Sequence, residues 1–109
     1  MISITTHILD VVLGKPASGV VVQLHFLENG EWKQLAASST DADGRCRDLG
    51  KPTFAGTYRL TFAVQDYFIR QNRNCFYPEI YIVANIRAEQ HYHLPLLLSD
   101  NSYTTYRGS

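Results

Sequence analysis

Apolar and polar side chains alternate with a period of two along most of this chain, a pattern that fits strands with one buried face. Ile2, Ile4 and Thr6 alternate with Ser3, Thr5 and His7, and the run continues through Ile8 to Val12. Gly14-Lys15-Pro16 breaks it, because proline cannot donate to a ladder and glycine opens a turn. Strands are predicted over 20–27 and 32–38, joined by Asn29-Gly30, the dipeptide best suited to the two positive φ angles of a type I′ hairpin turn. After the turn cluster Asp41-Ala42-Asp43-Gly44, a short strand is predicted over 45–49, with further strands over 56–64, 76–86, 91–98 and 103–106. Strict alternation lapses at 65–70, where one or two helical turns are expected with Asp66 as the cap. Seven or eight short strands, with turn signals every ~8–12 residues, predict an all-β sandwich.

At 109 residues with 45% hydrophobic side chains, the chain is long enough for one domain with a real core, spanning 1–109. Ten basic residues balance ten acidic ones, which argues against an electrostatic nucleic-acid binder. No apolar run approaches the roughly 20 residues of a membrane helix. Met1 leads straight into the first alternating segment without a signal peptide, so the expected compartment is the cytoplasm, or the periplasm for a mature form. Cys46 and Cys75 form neither a CxxC pair nor a zinc spacing, and two thiols are too few for a disulfide scaffold.

Along 91–98, parity separates His91, His93, Pro95 and Leu97 from Tyr92, Leu94, Leu96 and Leu98. The second set is large and apolar and belongs to the core. The first points out of the sandwich, yet Pro95 and Leu97 make it too apolar for open solvent, so it is expected to meet another subunit or line a cleft. His7 has a similar setting beside Leu9. The His-x-His spacing aims two imidazoles one way, but no carboxylate or cysteine joins them at a metal-ligand spacing, and no metal is predicted. His25 is read as structural. Asp41-Ala42-Asp43-Gly44 resembles the start of a calcium loop, but the later ligands are missing. Arg45 follows directly, so a guanidinium is presented from a tight turn. No nucleophile elbow, phosphate loop or dinucleotide fingerprint is present. The residues alone thus reach a β-sandwich with a His/His/Arg cluster.

The C-terminal string from Ser102 through Tyr103, Thr104, Thr105, Tyr106, Arg107 and Gly108 to Ser109, preceded by the run from His91 to Ser99, resembles the 5-hydroxyisourate hydrolase family, transthyretin-related enzymes of urate breakdown. Thr6-His7-Ile8-Leu9-Asp10 with Gly14-Lys15-Pro16-Ala17 is similar to that family's opening motif, and Thr40 to Arg45 to its central one. The resemblance covers essentially the whole chain. Asp100-Asn101 departs from it, standing where the family usually has proline followed by an aromatic or other residue.

This resemblance implies a transthyretin-like fold of two four-stranded sheets, a short helix after the fifth strand, and a homotetramer built as a dimer of dimers. It places His7, Arg45, His93 and Tyr106 on the four strands of one sheet, facing a channel between dimers. The implied reaction adds water to a ring carbonyl of 5-hydroxyisourate and breaks a C–N bond, giving 2-oxo-4-hydroxy-4-carboxy-5-ureidoimidazoline. His7 and His93 are the expected catalytic imidazoles, either one serving as base. Arg45 is expected to bind the anionic ring and stabilise oxyanion charge. Tyr106, Arg107 and Ser109 are expected to close the site, with Gly108 letting the backbone turn there. His91 is expected at the rim, without a chemical role. No cofactor, nucleic acid or membrane is implied, and the partner is the small-molecule substrate. The alternative is a small-ligand carrier without catalysis. A plain interaction module would need no polar cluster at all.

Overall fold

The computed structural model describes residues 2–52, 54–87 and 89–108. Nine strand segments and one helix follow one another as β1 (Ser3–Asp10), β2 (Lys15–Pro16), β3 (Val21–Glu28), β4 (Glu31–Ser39), β5 (Arg45–Cys46), β6 (Gly56–Ala63), α1 (Gln65–Ile69), β7 (Ile80–Ile86), β8 (His91–Leu98) and β9 (Tyr103–Thr105). The first sheet runs β2-β1-β8-β9, with β5 also paired to β1, and the second runs β4-β3-β6-β7. β8 lies parallel to β1 along its whole length, from Ser3 opposite His91 to Asp10 opposite Leu98. That leaves β1 one other edge, which β5 and β2 share in turn.

The period-two pattern fills the space between the sheets. Ile4, Ile8, Tyr92, Leu94, Leu96 and Leu98 from the first sheet meet Val22, Leu24, Tyr58, Leu60, Phe62, Ile80, Ile82 and Ile86 from the second. Thr6 also points inward, and its hydroxyl donates to the Leu94 carbonyl at 2.6 Å, so its burial leaves no orphaned polar group. Asn29 (φ 52°) and Gly30 (φ 77°) close the β3–β4 hairpin with the two positive angles expected of them.

Three expectations are corrected. The predicted strand over 76–86 begins only at Ile80, because Phe76 and Tyr77 spend their rings on each other, and Tyr77 on Tyr103, in edge-to-face contacts outside any ladder. The last strand stops at Thr105, one residue short of Tyr106. The helix is where it was expected, but Asp66 does not cap it: Val64 is the N-cap residue and no side-chain capping bond forms.

The Asp100 departure has a structural counterpart. Arg73, in the loop after α1, donates to the fully buried Asp10 at 2.6 Å and also pairs with Asp100. Tyr67 Oη donates to the same Asp10 carboxylate at 2.8 Å, as do the Val12 and Leu13 amides at 3.1 and 3.0 Å. The end of β1, the helix and the β8–β9 turn are thereby tied at one buried carboxylate.

Candidate active site

The outward face of the first sheet carries the predicted residues. Register places His7 opposite Arg45 on one side and opposite Pro95 on the other. One step back along the strand, Thr5 stands opposite His93, and then Ser3 opposite His91. His93 and Leu97 are half-buried and Pro95 is buried, as the mixed character of that face foretold.

Arg45 is held by the turn before it. The Asp41 carboxylate accepts the Asp43 amide at 2.9 Å and the Arg45 amide at 3.0 Å, bonds that also keep its pKa below the ordinary carboxylate value. Both amides share Asp41 Oδ1, while Oδ2 lies 4.0 Å from the Arg47 guanidinium. Gly44 (φ 75°) lies so close to β1 that a Cβ would come within 2.5 Å of the Ile8 carbonyl oxygen. The Asp43 carbonyl accepts from His7 Nε2 at 2.8 Å. A carbonyl can only accept, so Nε2 of His7 carries a proton, and Nδ1 lies outside that bond.

His93 is oriented from its other side. Its Nδ1 lies 2.8 Å from Thr5 Oγ1, which leaves Nε2 for a ligand. Burial lowers its pKa, and the charges of Arg45, His91 and His7 lower it further, so the ring is neutral at neutral pH. A cleft of about 330 Å³ opens here, lined by Thr5, Thr6, Arg45, Arg47, His91 and His93. Every lining residue is polar or cationic, and two guanidiniums make the cleft a receptor for an anion.

Arg45 and His93 therefore share one cleft, while His7 adjoins it through its register with Arg45 and does not itself line it. The tail folds back: Gly108 pairs with His93, its amide donating to the His93 carbonyl at 2.8 Å. Gly108 is not among the positive-φ glycines, so its smallness serves close approach rather than a turn; a Cβ would come 2.9 Å from His93 Cδ2. Arg107 lays its guanidinium over the Tyr92 ring at 4.5 Å, and Tyr106 is exposed; neither lines the cleft. Ser109 lies outside the described residues. His25 stands on β3 in the other sheet, beside Arg59, with its pKa lowered by burial and by that charge. Cys46 and Cys75 are free thiols, and among the described residues no cluster of three or more His, Cys, Asp or Glu is arranged to hold a metal ion.

Sequence reasoning passed over Thr5, Thr6 and Arg47. Thr5 and Arg47 had a legible signal, since each shares strand parity with a predicted site residue, Thr5 with His7 and Arg47 with Arg45. Thr6 has core parity and reaches the cleft edge with no such cue.

The HIUase/Transthyretin family model matches residues 4–108. The chain belongs to that family. A mouse 5-hydroxyisourate hydrolase is 44% identical over 97% of this chain and 94% of its own length. The solved 5-hydroxyisourate hydrolase of Klebsiella pneumoniae is 38% identical, with a TM-score of 0.86 covering 98% of this chain and 99% of that one. Sea bream transthyretin, solved in complex with thyroxine, superposes with a TM-score of 0.92 at 34% identity, over 97% and 94% of the two chains. Members of the HIUase/Transthyretin family thus include both a hydrolase and a hormone-binding protein on one backbone, and side chains must separate the two.

Proposed function

We infer that this protein hydrolyses 5-hydroxyisourate in urate degradation, opening the six-membered ring by water addition to a ring carbonyl and C–N cleavage. The observation that carries this reading is the shared cleft of Arg45 and His93, an anion clamp beside an imidazole kept neutral. His93 Nε2 takes a proton from the attacking water, and an imidazole with a lowered pKa is ready for that at neutral pH. Arg45 holds the anionic ring and stabilises oxyanion charge as the tetrahedral centre forms. His7, its Nε2 proton committed to the Asp43 carbonyl, positions the water or the substrate through Nδ1. The nitrogen released by C–N cleavage recovers the proton. A carrier without catalysis fits less well, because an apolar hormone gains little from a cleft lined by two arginines, two histidines and two threonines.

Assembly as a homotetramer is part of the same reading. It is supported by the apolar, half-buried Leu9 and Leu97 flanking a polar cleft on the outer sheet face, a composition suited to a dimer–dimer interface. In that assembly Tyr106 and Arg107, on the tail fastened to β8 through Gly108, close the site. The test is spectrophotometric: 5-hydroxyisourate is generated from urate by urate oxidase, and its absorbance decays faster with this protein than in buffer. Decay at the buffer rate would overturn the assignment.

A further inference from the structure

Behind His93 lies a line of side-chain hydrogen bonds running between β1 and β8. Thr5 Oγ1 is 2.8 Å from His93 Nδ1 and 3.2 Å from His91 Nε2, and Ser3 Oγ is 2.7 Å from His91 Nδ1. The two imidazoles are nearly parallel, 16° apart with centroids separated by 6.3 Å. The strand register produces the line, because parallel pairing sets Thr5 beside His93 and Ser3 beside His91 on the same face. The line runs from the half-buried base to the exposed His91.

We propose that Thr5 is the positioning residue for His93, and that the line His93–Thr5–His91–Ser3 carries a proton between the base and the solvent. The proposal rests on the hydrolase reading above for its catalytic part. A hydroxyl has one proton to give and lone pairs to receive, so the line has two consistent directions. In one, His93 Nδ1–H donates to Thr5, the Thr5 hydroxyl donates to His91 Nε2, and His91 Nδ1–H donates to Ser3. His93 Nε2 then holds a lone pair aimed at the water to be activated.

When Nε2 takes up a proton, the Nδ1 proton passes to the Thr5 oxygen as the Thr5 proton passes to His91 Nε2. The His91 Nδ1 proton moves to Ser3, whose own proton leaves to water. One proton is taken up and one released, and both rings end neutral with every hydrogen bond reversed. The opposite passage, fed by a proton from water, restores the first state once His93 has given its Nε2 proton to the leaving nitrogen. The charges around the base favour this arrangement. Arg45 and Arg47 from β5 and the residue after it, His7 from β1 and His91 from β8 surround His93, and Gly108 from the tail adds no charge. A standing imidazolium there is repelled by the arginines, and a neutral ring is not.

Two substitutions and one spectroscopic measurement test this. Thr5→Val keeps the β-branched shape and removes the hydroxyl; Thr5→Ser keeps the hydroxyl. With 5-hydroxyisourate as substrate, T5V is expected to lower kcat about 10-fold or more with KM little changed, and T5S to restore most of it. His91→Gln, at an exposed position, breaks the line beyond Thr5 and is expected to lower kcat in the same sense. Imidazole ¹⁵N NMR of the substrate-free protein reads the His93 tautomer directly. The parent is expected to hold Nδ1–H at neutral pH, and T5V to shift the ring toward Nε2–H. Equal kcat in the parent, T5V and H91Q overturns the relay, and an unchanged His93 spectrum in T5V overturns the positioning role. If the parent itself fails to hydrolyse 5-hydroxyisourate, the hydrolase reading falls, while the NMR comparison still decides the role of Thr5.

Discussion

The Gly108 amide donates to the carbonyl of His93 at 2.8 Å, so the last turn of chain is fastened to β8 at the residue that lines the cleft. Chain ends are usually loose unless something holds them, and here the fastening is also a spacing device. Gly108→Ala would drive a methyl group toward a ring carbon 2.9 Å away. That ring is held on its other side by Thr5 and has little room to yield. The expected outcome is a fall of about 10-fold or more in kcat/KM with a nearly unchanged melting temperature. Deleting residues 107–109 should leave the sandwich folded and lower hydrolysis further. Wild-type turnover in the truncated protein would separate the tail from the site.

His7 and His93 differ in what holds them, one to a backbone carbonyl and the other to a hydroxyl. Replacing either by Asn should leave the oligomeric state unchanged on gel filtration and cost at least about 10²-fold in turnover, the lower range for loss of a general acid or base. Near wild-type rates in both variants would remove the imidazoles from the chemistry.

How much of this was legible depends on the range of the interaction. β8 was read with its full bounds, His91–Leu98, because Tyr92, Leu94, Leu96 and Leu98 recur at every second residue and leave one register for the core face. The site face followed from the same parity, which is why His93 and His7 could be singled out before any pairing was known. The start of β7 was misread because Phe76 and Tyr77 have strand-like chemistry yet serve a ring cluster. The meeting of Asp10, Arg73 and Asp100 carries no local signature. Their contacts span 63 and 27 residues, and no periodicity encodes such a meeting. Tyr106 was placed on the last strand by extending the alternation of Tyr103–Thr105 one residue too far.

Arg45 owes its place to Asp41, whose carboxylate gathers the amides of residues 43 and 45. Asp41→Ala should therefore impair hydrolysis although Asp41 does not line the cleft, with a loss of about 10-fold or more. Arg45→Lys should be impaired despite its charge, since the planar two-pronged donor is gone. Full activity of the lysine variant would reduce Arg45 to a source of positive potential.

The pH dependence follows from His93. Burial first, and then the charges of Arg45, His91 and His7, hold its pKa below the ordinary 6.5. The base form therefore persists as pH falls past 6.5, and kcat/KM should stay level through neutrality with an acid limb centred below that value. Stability follows the same sign. Above pH 6.5 the ring is neutral whether the chain is folded or not, and stability is lost as pH falls through the lowered folded value. An acid limb centred at or above 6.5 would contradict this.

The last expectation concerns the buried carboxylate that joins β1, the helix and the β8–β9 turn. Burial of Asp10 opposes its ionisation. The hydrogen bond from Arg73, the Leu13 amide, the Tyr67 hydroxyl and the Arg73 charge outweigh that opposition and hold its pKa below 3.8. Arg73→Met fills a similar volume and removes the charge partner, leaving a carboxylate with no solvent exposure facing a thioether. Breaking a buried pair in this way costs about 3–5 kcal/mol, more than the packed arginine stem alone contributes. Asp10→Asn in the Arg73→Met background should recover part of that loss, because a neutral amide needs no counter-ion. The linkage has a definite direction. Asp10 contributes its stability fully above 3.8, and the contribution is lost as pH falls through the lower folded value. Urea unfolding at pH 7 should then separate the parent from Arg73→Met widely, and the gap should narrow below pH 3.8 as the carboxyl takes up its proton. Equal stability of the two proteins at pH 7 would mean that Asp100 and Arg73 merely decorate a turn that Tyr67 and the backbone amides already hold.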